Sequence, residues 1–154
     1  MYKNIMVAID DSDMATLALN EAMNLAYALH SKLYVIHVID LSLPPSTDIA
    51  YVAVDFDKYI KTIKRNGEEL LDKVKIMAKN IGVDVDTKLI ENKNYGVISE
   101  KILESADNLA ADLLVLCSHG RRGFRRFFIG SVTEETIRTT KIPVLIVHGN
   151  SKED

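Results

Sequence analysis

A glycine-punctuated segment over residues 118–131 carries the groups best suited to bind an anion. Gly120 and Gly130 leave their backbone N–H groups open to a phosphate, because no Cβ stands in the way. Four arginines lie within six residues of the same segment, although the chain has a net charge of −3. These are Arg121, Arg122, Arg125 and Arg126. The pattern predicts a local phosphate-binding loop in which at most two arginines take part, with Arg121 and Arg122 as candidates; the alternative for the cluster is a solvated face or a protein-binding site.

Ser131 stands where a helix is expected to begin after this loop. The run Ser131-Val132-Thr133-Glu134 fits a capping box, in which the serine hydroxyl accepts from the N–H of Glu134 and the glutamate reaches back. A capping hydroxyl can still donate its own proton to a phosphate oxygen, and helix N-termini attract anions. We therefore expect Ser131 to bind phosphate as well as cap the helix; capping alone is the alternative.

Two carboxylates, Asp10 and Asp11, close the first apolar run of the chain. A carboxylate at the end of a strand can hold Mg²⁺, directly or through water, or accept from a ribose hydroxyl. The alternative is a favourable interaction with the first turn of the following helix. Asp10 is our candidate for ribose or Mg²⁺, and Asp11 is assigned to the helix terminus.

Several familiar catalytic patterns are absent from the sequence. The chain contains neither GxxxxGK[ST] nor GxGxxG, which argues against a P-loop GTPase and an ordinary dehydrogenase. His119 has no serine, cysteine and carboxylate arranged around it for nucleophilic catalysis, and a loop-bracing role is expected. His37 falls inside an apolar run, and a role in the core or at a strand end is expected. Cys117 is assigned as a small buried side chain. No catalytic residue is predicted.

The elements that must position these residues alternate between short apolar runs and longer stretches of helical period, which is typical of an α/β fold with a parallel sheet. Strands are predicted at residues 5–9, 33–39, 83–90, 113–117 and 143–147. Helices are predicted from Ser12 and at residues 57–81, 95–109 and 131–140. In the first helix, Leu17, Ala18 and Ala22 are expected to face the core. Residues 44–57 are expected to form a loop. Gly67 lies in the apolar stripe of the second helix and predicts close approach to a neighbouring element, and Gly82 is placed to end that helix.

Length and composition limit the classes of protein that this chain could be. Its 154 residues, 47% of them hydrophobic, predict one continuous domain over residues 1–154. The acidic balance argues against general nucleic-acid binding. The lone cysteine cannot form an internal disulfide, and no apolar run predicts a secretory signal or a membrane span. A soluble cytoplasmic protein is expected.

The chain resembles the universal stress protein family over essentially its whole length. Nucleotide-binding members of that family have a glycine, two residues, a second glycine, nine residues, and then glycine followed by serine or threonine. Here Gly120, nine residues and Gly130-Ser131 reproduce the second part of the motif, while Cys117 replaces the first glycine. The resemblance places this chain nearer the members that bind ATP than those that do not.

The resemblance implies a Rossmann-like fold: an open sheet of five parallel strands in the order 3-2-1-4-5, with helices on both faces. It also implies an ATP pocket, in which Val38 contacts adenine and Asp10 contacts ribose. The pocket residues it implies are Ala8, Ile9, Asp10, Val38, Leu116, Cys117, Gly120, Gly130, Ser131, Val132 and Thr133. In the family the last strand, here Val144–Val147, pairs with its copy in a homodimer, and this run carries no charge that would block such pairing.

Three functions remain open on the sequence. The first is an ATP-binding regulatory module in the stress response. The second is a slow Mg²⁺-dependent ATPase or phosphotransferase, for which no convincing general base is present. The third is a dimeric adaptor that binds no nucleotide, and cyclic AMP in place of ATP is a variant of the first.

Overall fold

The apolar runs of the sequence form the strands of one sheet in the computed structural model. The structure describes residues 1–42, 49–93, 95–118 and 129–149, with residues 49–55 described in their backbone alone. The strands are β1 Asn4–Ile9, β2 Lys32–Asp40, β3 Val85–Asn92, β4 Leu113–Cys117 and β5 Val144–Val147. The helices are α1 Asp13–Leu29, α2 Ile49–Ile81, α3 Ile98–Asn108 and α4 Ser131–Thr139.

The sheet is parallel throughout, and its strand order is β3-β2-β1-β4-β5. This confirms the predicted α/β fold and its strand order. The chain first adds strands on one side of β1 and then on the other, so the direction of winding reverses between β1 and β4. In open α/β sheets, ligands bind beyond the carboxyl ends of the strands at such a switch point. In this protein that position lies just after Ile9 and Cys117.

Two apolar layers cover the sheet because alternate residues of each strand point to opposite faces. On one face Ile5 and Val7 pack in a buried cluster with side chains of α1 and α2. On the other face Met6, Ile36 and Leu114 form a second cluster with side chains of α3 and α4. The central strands β1 and β4 contribute to both layers, which explains why their sequences are continuously apolar rather than alternating.

The start of α1 matches the prediction, but its buried face is rotated. Ser12 is the N-cap, and its side chain accepts from the N–H of Ala15 at 3.1 Å. Leu17, predicted to face the core, is 43% exposed. Ala18 and Ala22 are buried as predicted, and so are Ala15, Leu19, Met23 and Ala26. Small alanine side chains let the helix lie close to β1 and β4, so the stripe of small residues faces the sheet.

The second helix begins at Ile49, so the prediction of a loop up to residue 57 was wrong. That prediction depended on Pro44 and Pro45, but residues 49–56 contain neither proline nor glycine, and nothing in them stops a helix. Gly82 ends α2 as predicted. Its φ is +74°, and the next N–H, that of Val83, donates to the carbonyl of Ala78 at 3.0 Å.

The elements β3 and α3 both begin later than the sequence predicts. The strand spans Val85–Asn92 rather than residues 83–90, and α3 starts at Ile98 rather than at Tyr95. Tyr95 has a φ of +57°, a left-handed conformation that an α-helix cannot include. Within the described residues, no helix is both long enough and apolar enough to cross a membrane.

Candidate functional site

Asp10 lies at the switch point, directly after the last residue of β1. The backbone N–H of Ser12 donates to its Oδ1 at 3.0 Å, and the Ser12 hydroxyl donates to the same oxygen. A carboxylate that bonds two residues onward in this way closes an Asx turn. The strand therefore delivers Asp10 to the carboxyl edge of the sheet, and the first turn of α1 holds its carboxylate.

Cys117 ends β4 and lies close enough to Asp10 to sense its charge. Burial, and secondarily the negative charge of Asp10, raise the pKa of the Cys117 thiol to about 11. The half-buried side chain packs against the α1/α2 layer together with Leu145 and Val147. At neutral pH the group beside Asp10 is therefore a neutral thiol, not an anion, and the assignment of Cys117 as a small packed side chain agrees with this placement.

The capping box predicted at Ser131 is not formed. Gly130 is the N-cap of α4, it makes no side-chain cap bond, and Ser131 is the first helical residue, with an exposed side chain. The N–H of Glu134 donates to the Gly130 carbonyl at 2.8 Å, and the Glu134 carboxylate pairs with Arg138 at 2.9 Å. The prediction failed because it placed the helix start one residue late: an extended Gly130 already leads the chain into the helix, with φ −59° and ψ 146°.

Two hydrogen bonds tie the N-terminus of α4 to the end of β4. The Thr133 hydroxyl donates to the carbonyl of Cys117 at 2.9 Å, and the N–H of Gly130 donates to the carbonyl of Ser118 at 2.8 Å. The N–H of Gly130 is thus used within the protein. The first-turn N–H groups that no intrahelical carbonyl can reach belong to Ser131, Val132 and Thr133. Their position beside β4 gives the switch point the positive end of a helix dipole.

The remaining predicted residues divide between the two faces of the sheet. Ala8, Val38, Leu116 and Val132 all belong to the cluster under α3 and α4, and all but Leu116 are only partly buried. The side chain of Ile9 is buried in the opposite layer. Ile9 can therefore contribute its backbone to a site at this edge, whereas Ala8, Val38 and Val132 can offer apolar side chains.

Part of the predicted loop lies outside the described residues. This concerns Gly120, Arg121 and Arg122 among the predicted ligands. It also concerns His119, Gly123, Arg125 and Arg126.

His37 is buried as the sequence predicted, and it bonds to a backbone carbonyl that the sequence did not indicate. It is 4% exposed, and its Nδ1 lies 2.8 Å from the carbonyl oxygen of Ile9. A carbonyl can only accept, so Nδ1 carries the proton and donates. His37 on β2 thereby fixes the peptide that immediately precedes Asp10.

The described residues contain no group of three or more histidine, cysteine, aspartate or glutamate side chains placed to hold a metal ion. Asp10 contributes one carboxylate. Mg²⁺ commonly binds one or two protein carboxylates together with substrate phosphates and water. The donor set thus fits an ion that arrives with a phosphate ligand rather than one in an all-protein cage.

Comparison with known proteins identifies the family of this chain. The sequence profile of the universal stress protein family matches residues 1–148. The chain belongs to the universal stress protein family. A universal stress protein of Methanocaldococcus jannaschii is 34% identical over 157 residues, an alignment that covers 99% of this chain and 86% of the relative.

Two solved universal stress protein structures extend the comparison. The protein from Lactobacillus plantarum has a TM-score of 0.81 at 21% identity, with 95% of this chain and 97% of that chain covered, and supports the fold. A universal stress protein in complex with cyclic AMP has a TM-score of 0.65 at 26% identity, with 96% of this chain and 97% of that chain covered.

Sequence reasoning missed two connections in this universal stress protein. Ser12 was recognised as a helix cap but not as a donor to Asp10, and Thr133 was not recognised as the residue that ties α4 to β4. The first was recoverable, since aspartate followed two residues later by serine is a common turn signature. The second joins residues 16 positions apart across a strand end, and no local pattern encodes it.

The thiol of Cys117 should be slow to alkylate in this universal stress protein. With a pKa of about 11, roughly one thousandth of it is thiolate at pH 8, and the rate should rise about tenfold per pH unit until about pH 11. Iodoacetamide labelling followed by mass spectrometry gives a clean readout because the chain has one cysteine. The denatured protein is the control, and a native rate that levels off near pH 9 would contradict the burial argument.

Ionisation of the same thiol should make stability depend on pH. The folded protein holds the thiol proton more tightly than the unfolded chain does. The contribution of the protonated thiol to the free energy of unfolding is therefore complete below about pH 9 and is lost as pH rises to about 11. Cys117→Ser, with its far higher hydroxyl pKa, should remove that part of the alkaline decline.

Proposed function

We propose that this universal stress protein binds ATP at the carboxyl edge between β1 and β4 and acts as a dimeric regulatory module in the stress response. One observation carries the proposal. Two groups flank the same switch point: the anchored carboxylate of Asp10, and the N-terminus of α4, where the N-cap Gly130 makes no side-chain bond. Thr133 and Gly130 tie this N-terminus to the end of β4. A negative group beside a positive helix end suits a ligand with hydroxyls at one end and phosphates at the other.

Asp10 is proposed as the ribose ligand. A carboxylate is a strong acceptor for vicinal hydroxyls, and charge-assisted bonds of this kind are stronger than neutral ones. The turn through Ser12 holds the carboxylate in one orientation before any ligand arrives. Binding therefore costs little additional side-chain entropy at Asp10.

The adenine ring is proposed to lie against the apolar side chains at the same edge. Ala8 and Val38 are partly buried members of the α3/α4 layer, and Val132 of α4 belongs to the same cluster. Flat apolar ligands favour such a lining because it removes ring surface from water. The solved relative in complex with cyclic AMP supports an adenine nucleotide as the ligand class.

The phosphates are proposed to bind the first turn of α4. Its N–H groups at Ser131, Val132 and Thr133 are the donors that the described residues provide. Gly120, Arg121 and Arg122 are proposed to complete this part of the site. Mg²⁺, when bound, would neutralise phosphate charge, and Asp10 is the carboxylate proposed to assist in holding it.

A nucleotide titration tests the proposal directly. Any ligand carried through purification is released with acid and identified by mass spectrometry. ATP is then titrated with and without Mg²⁺ by displacement of a fluorescent analogue, because the chain lacks tryptophan. We expect ATP to bind more tightly than about 1 mM, which corresponds to about 4 kcal/mol.

The outcomes separate the candidate functions. Binding without phosphate release supports a regulatory module, and steady phosphate release would favour a slow ATPase. Preference for cyclic AMP over ATP would correct the identity of the ligand. No binding at millimolar ATP would leave a nucleotide-free adaptor. A cytoplasmic location is part of the proposal, supported by the single unpaired cysteine.

The homodimer is proposed to form through the free edge of β5. This strand ends the sheet, and its four apolar residues are all partly exposed. The carbonyl of Pro143 accepts from Leu114 of β4, and that of Val147 accepts from Ser118, the residue after β4. Backbone groups alternate direction along a strand, so those of Val144 and Ile146 face the open edge.

Ile146→Pro should therefore convert the dimer to a monomer. Proline removes an N–H that faces the open edge while leaving the bonds to β4 in place, and edge strands tolerate it. Ile146→Ala is the matched control, because it loses similar side-chain packing but keeps the N–H. Light scattering coupled to size exclusion measures both masses. A dimeric Ile146→Pro variant would place the interface elsewhere, and a monomeric wild type would overturn the proposed dimer.

A further inference from the structure

Ser12 is the N-cap of α1 and also bonds to the carboxylate of Asp10. Its hydroxyl donates to Asp10 Oδ1 and accepts from the N–H of Ala15 at 3.1 Å. Its own N–H adds a second bond to the same Oδ1 at 3.0 Å. One side chain therefore uses its single proton on Asp10 and a lone pair on the helix.

These bonds restrict how the Asp10 carboxylate can rotate. The terminal torsion of an aspartate is broad when nothing holds it. Two donors on one oxygen select a single orientation, and the cap bond to Ala15 fixes the Ser12 hydroxyl that supplies one of them. An alanine at position 12 would keep the backbone bond but lose the hydroxyl, so one of the two bonds that orient Asp10 Oδ1 would be lost.

We propose that Ser12 is a positioning residue for ribose recognition: it holds Asp10 so that the site selects nucleotides with both ribose hydroxyls over 2′,3′-dideoxy analogues. The inference rests on the proposed function and adds sugar selectivity to it. A carboxylate placed to accept from a ribose hydroxyl binds an analogue without that hydroxyl less tightly, because the charge-assisted bond is not formed. Such discrimination requires the acceptor to be held in place, and Ser12 supplies that constraint.

The test compares ATP with 2′,3′-dideoxy-ATP in the full-length chain. Wild type should prefer ATP by about tenfold or more. Ser12→Ala should lose about tenfold in affinity for ATP and less than about twofold for the dideoxy analogue, so that the preference nearly disappears. Ser12→Thr keeps a hydroxyl and should restore both the affinity and the preference.

Two further variants separate positioning from helix capping. Ser12→Gly removes the hydroxyl but is nearly as good an N-cap as serine, so it should lose the preference as Ser12→Ala does. Ser31→Ala is the matched control, because it also removes a serine hydroxyl that donates one hydrogen bond, here to the carbonyl of Tyr2 at 2.7 Å rather than to Asp10. This variant should keep the wild-type preference.

Each remaining result overturns a defined part of the account. Equal losses for the two nucleotides in Ser12→Ala, or a preference retained in Ser12→Gly, would mean that Ser12 acts through the helix alone and would refute the positioning role. A wild type that binds both nucleotides equally would refute it as well. A wild type that binds neither would overturn the proposed function itself, and the sugar selectivity with it.

Discussion

Asp10→Ala is expected to weaken ATP binding by about 30-fold. The substitution removes the charged group that is proposed to accept from ribose. Hydrogen bonds to charged groups contribute about 2 kcal/mol, which corresponds to that factor. It also deprives the hydroxyl and N–H of Ser12 of their acceptor. The measurement is the dissociation constant for ATP, obtained by displacement of a fluorescent analogue from wild type and variant under identical conditions.

Asp11→Ala is the matched control for this experiment. It removes the same charge one residue further along the chain, from an exposed side chain at the same helix terminus. Its affinity for ATP should stay within about twofold of wild type, because surface charges contribute little. Equal losses in the two variants would mean that only the net charge of the terminus matters. No loss in either would place the ribose away from Asp10.

Asp10→Asn refines the interpretation. The amide retains the size of the side chain and one oxygen acceptor but loses the charge. We expect a loss between those of wild type and Asp10→Ala. A loss as large as that of alanine would assign the whole effect to charge.

Gly67→Leu is expected to destabilise the fold by about 3 kcal/mol. A Cβ built on Gly67 would stand 2.6 Å from Cδ1 of Leu89 and 3.2 Å from Cδ2 of His37, so even one added carbon meets β2 and β3. A whole leucine side chain overpacks this interface and must push α2 from the sheet or displace both neighbours. Urea denaturation of the two proteins measures the difference in the free energy of unfolding.

Two companion variants show whether the contact is the cause. Gly67→Ala should be nearly neutral, because alanine gains about 1 kcal/mol in helix propensity while the Leu89 methyl can rotate away. Gly67→Leu should cost less in a Leu89→Ala background than in wild type, since the cavity receives part of the new side chain. If Gly67→Leu were as stable as Gly67→Ala, α2 would not lie against the sheet at this position.

The consequences of the Gly67 contact extend to the proposed site. His37 lies under Gly67 and donates to the carbonyl of Ile9, the residue before Asp10. A side chain that displaces His37 should therefore disturb the end of β1. The close approach of α2 at Gly67 thus helps to define the backbone next to Asp10, the proposed ribose ligand.

Local patterns explain most of what could be predicted about the fold. The apolar runs located all five strands, and Leu113–Cys117 was predicted with its observed bounds. Ser12 and Gly82 marked a helix start and a helix end because capping and left-handed termini depend on neighbouring residues. The strand order came instead from the family resemblance, since it involves pairings between distant segments.

The errors occurred where local signals compete. Pro44 and Pro45 suggested a loop that ended eight residues too late, whereas α2 begins once those prolines are passed. A capping-box pattern at Ser131 matched the sequence, but Gly130 already occupied the N-cap. At α4 the bonds of Thr133 and Gly130 to the end of β4 accompany the observed start, whereas residues 49–56 contain no proline or glycine that would stop α2 from beginning early.

In the segment over residues 118–131, the sequence by itself determined the residue types: glycines, arginines and Ser131 after an apolar strand. Tertiary structure decided how the described part is used. The N–H of Gly130 donates to Ser118 and the Thr133 hydroxyl donates to Cys117, so the first-turn N–H groups of α4 are the donors proposed for phosphate. The residue types define which groups can donate a hydrogen bond. Which N–H groups are already bonded depends on contacts between segments that are distant in sequence, because each N–H has one proton to donate.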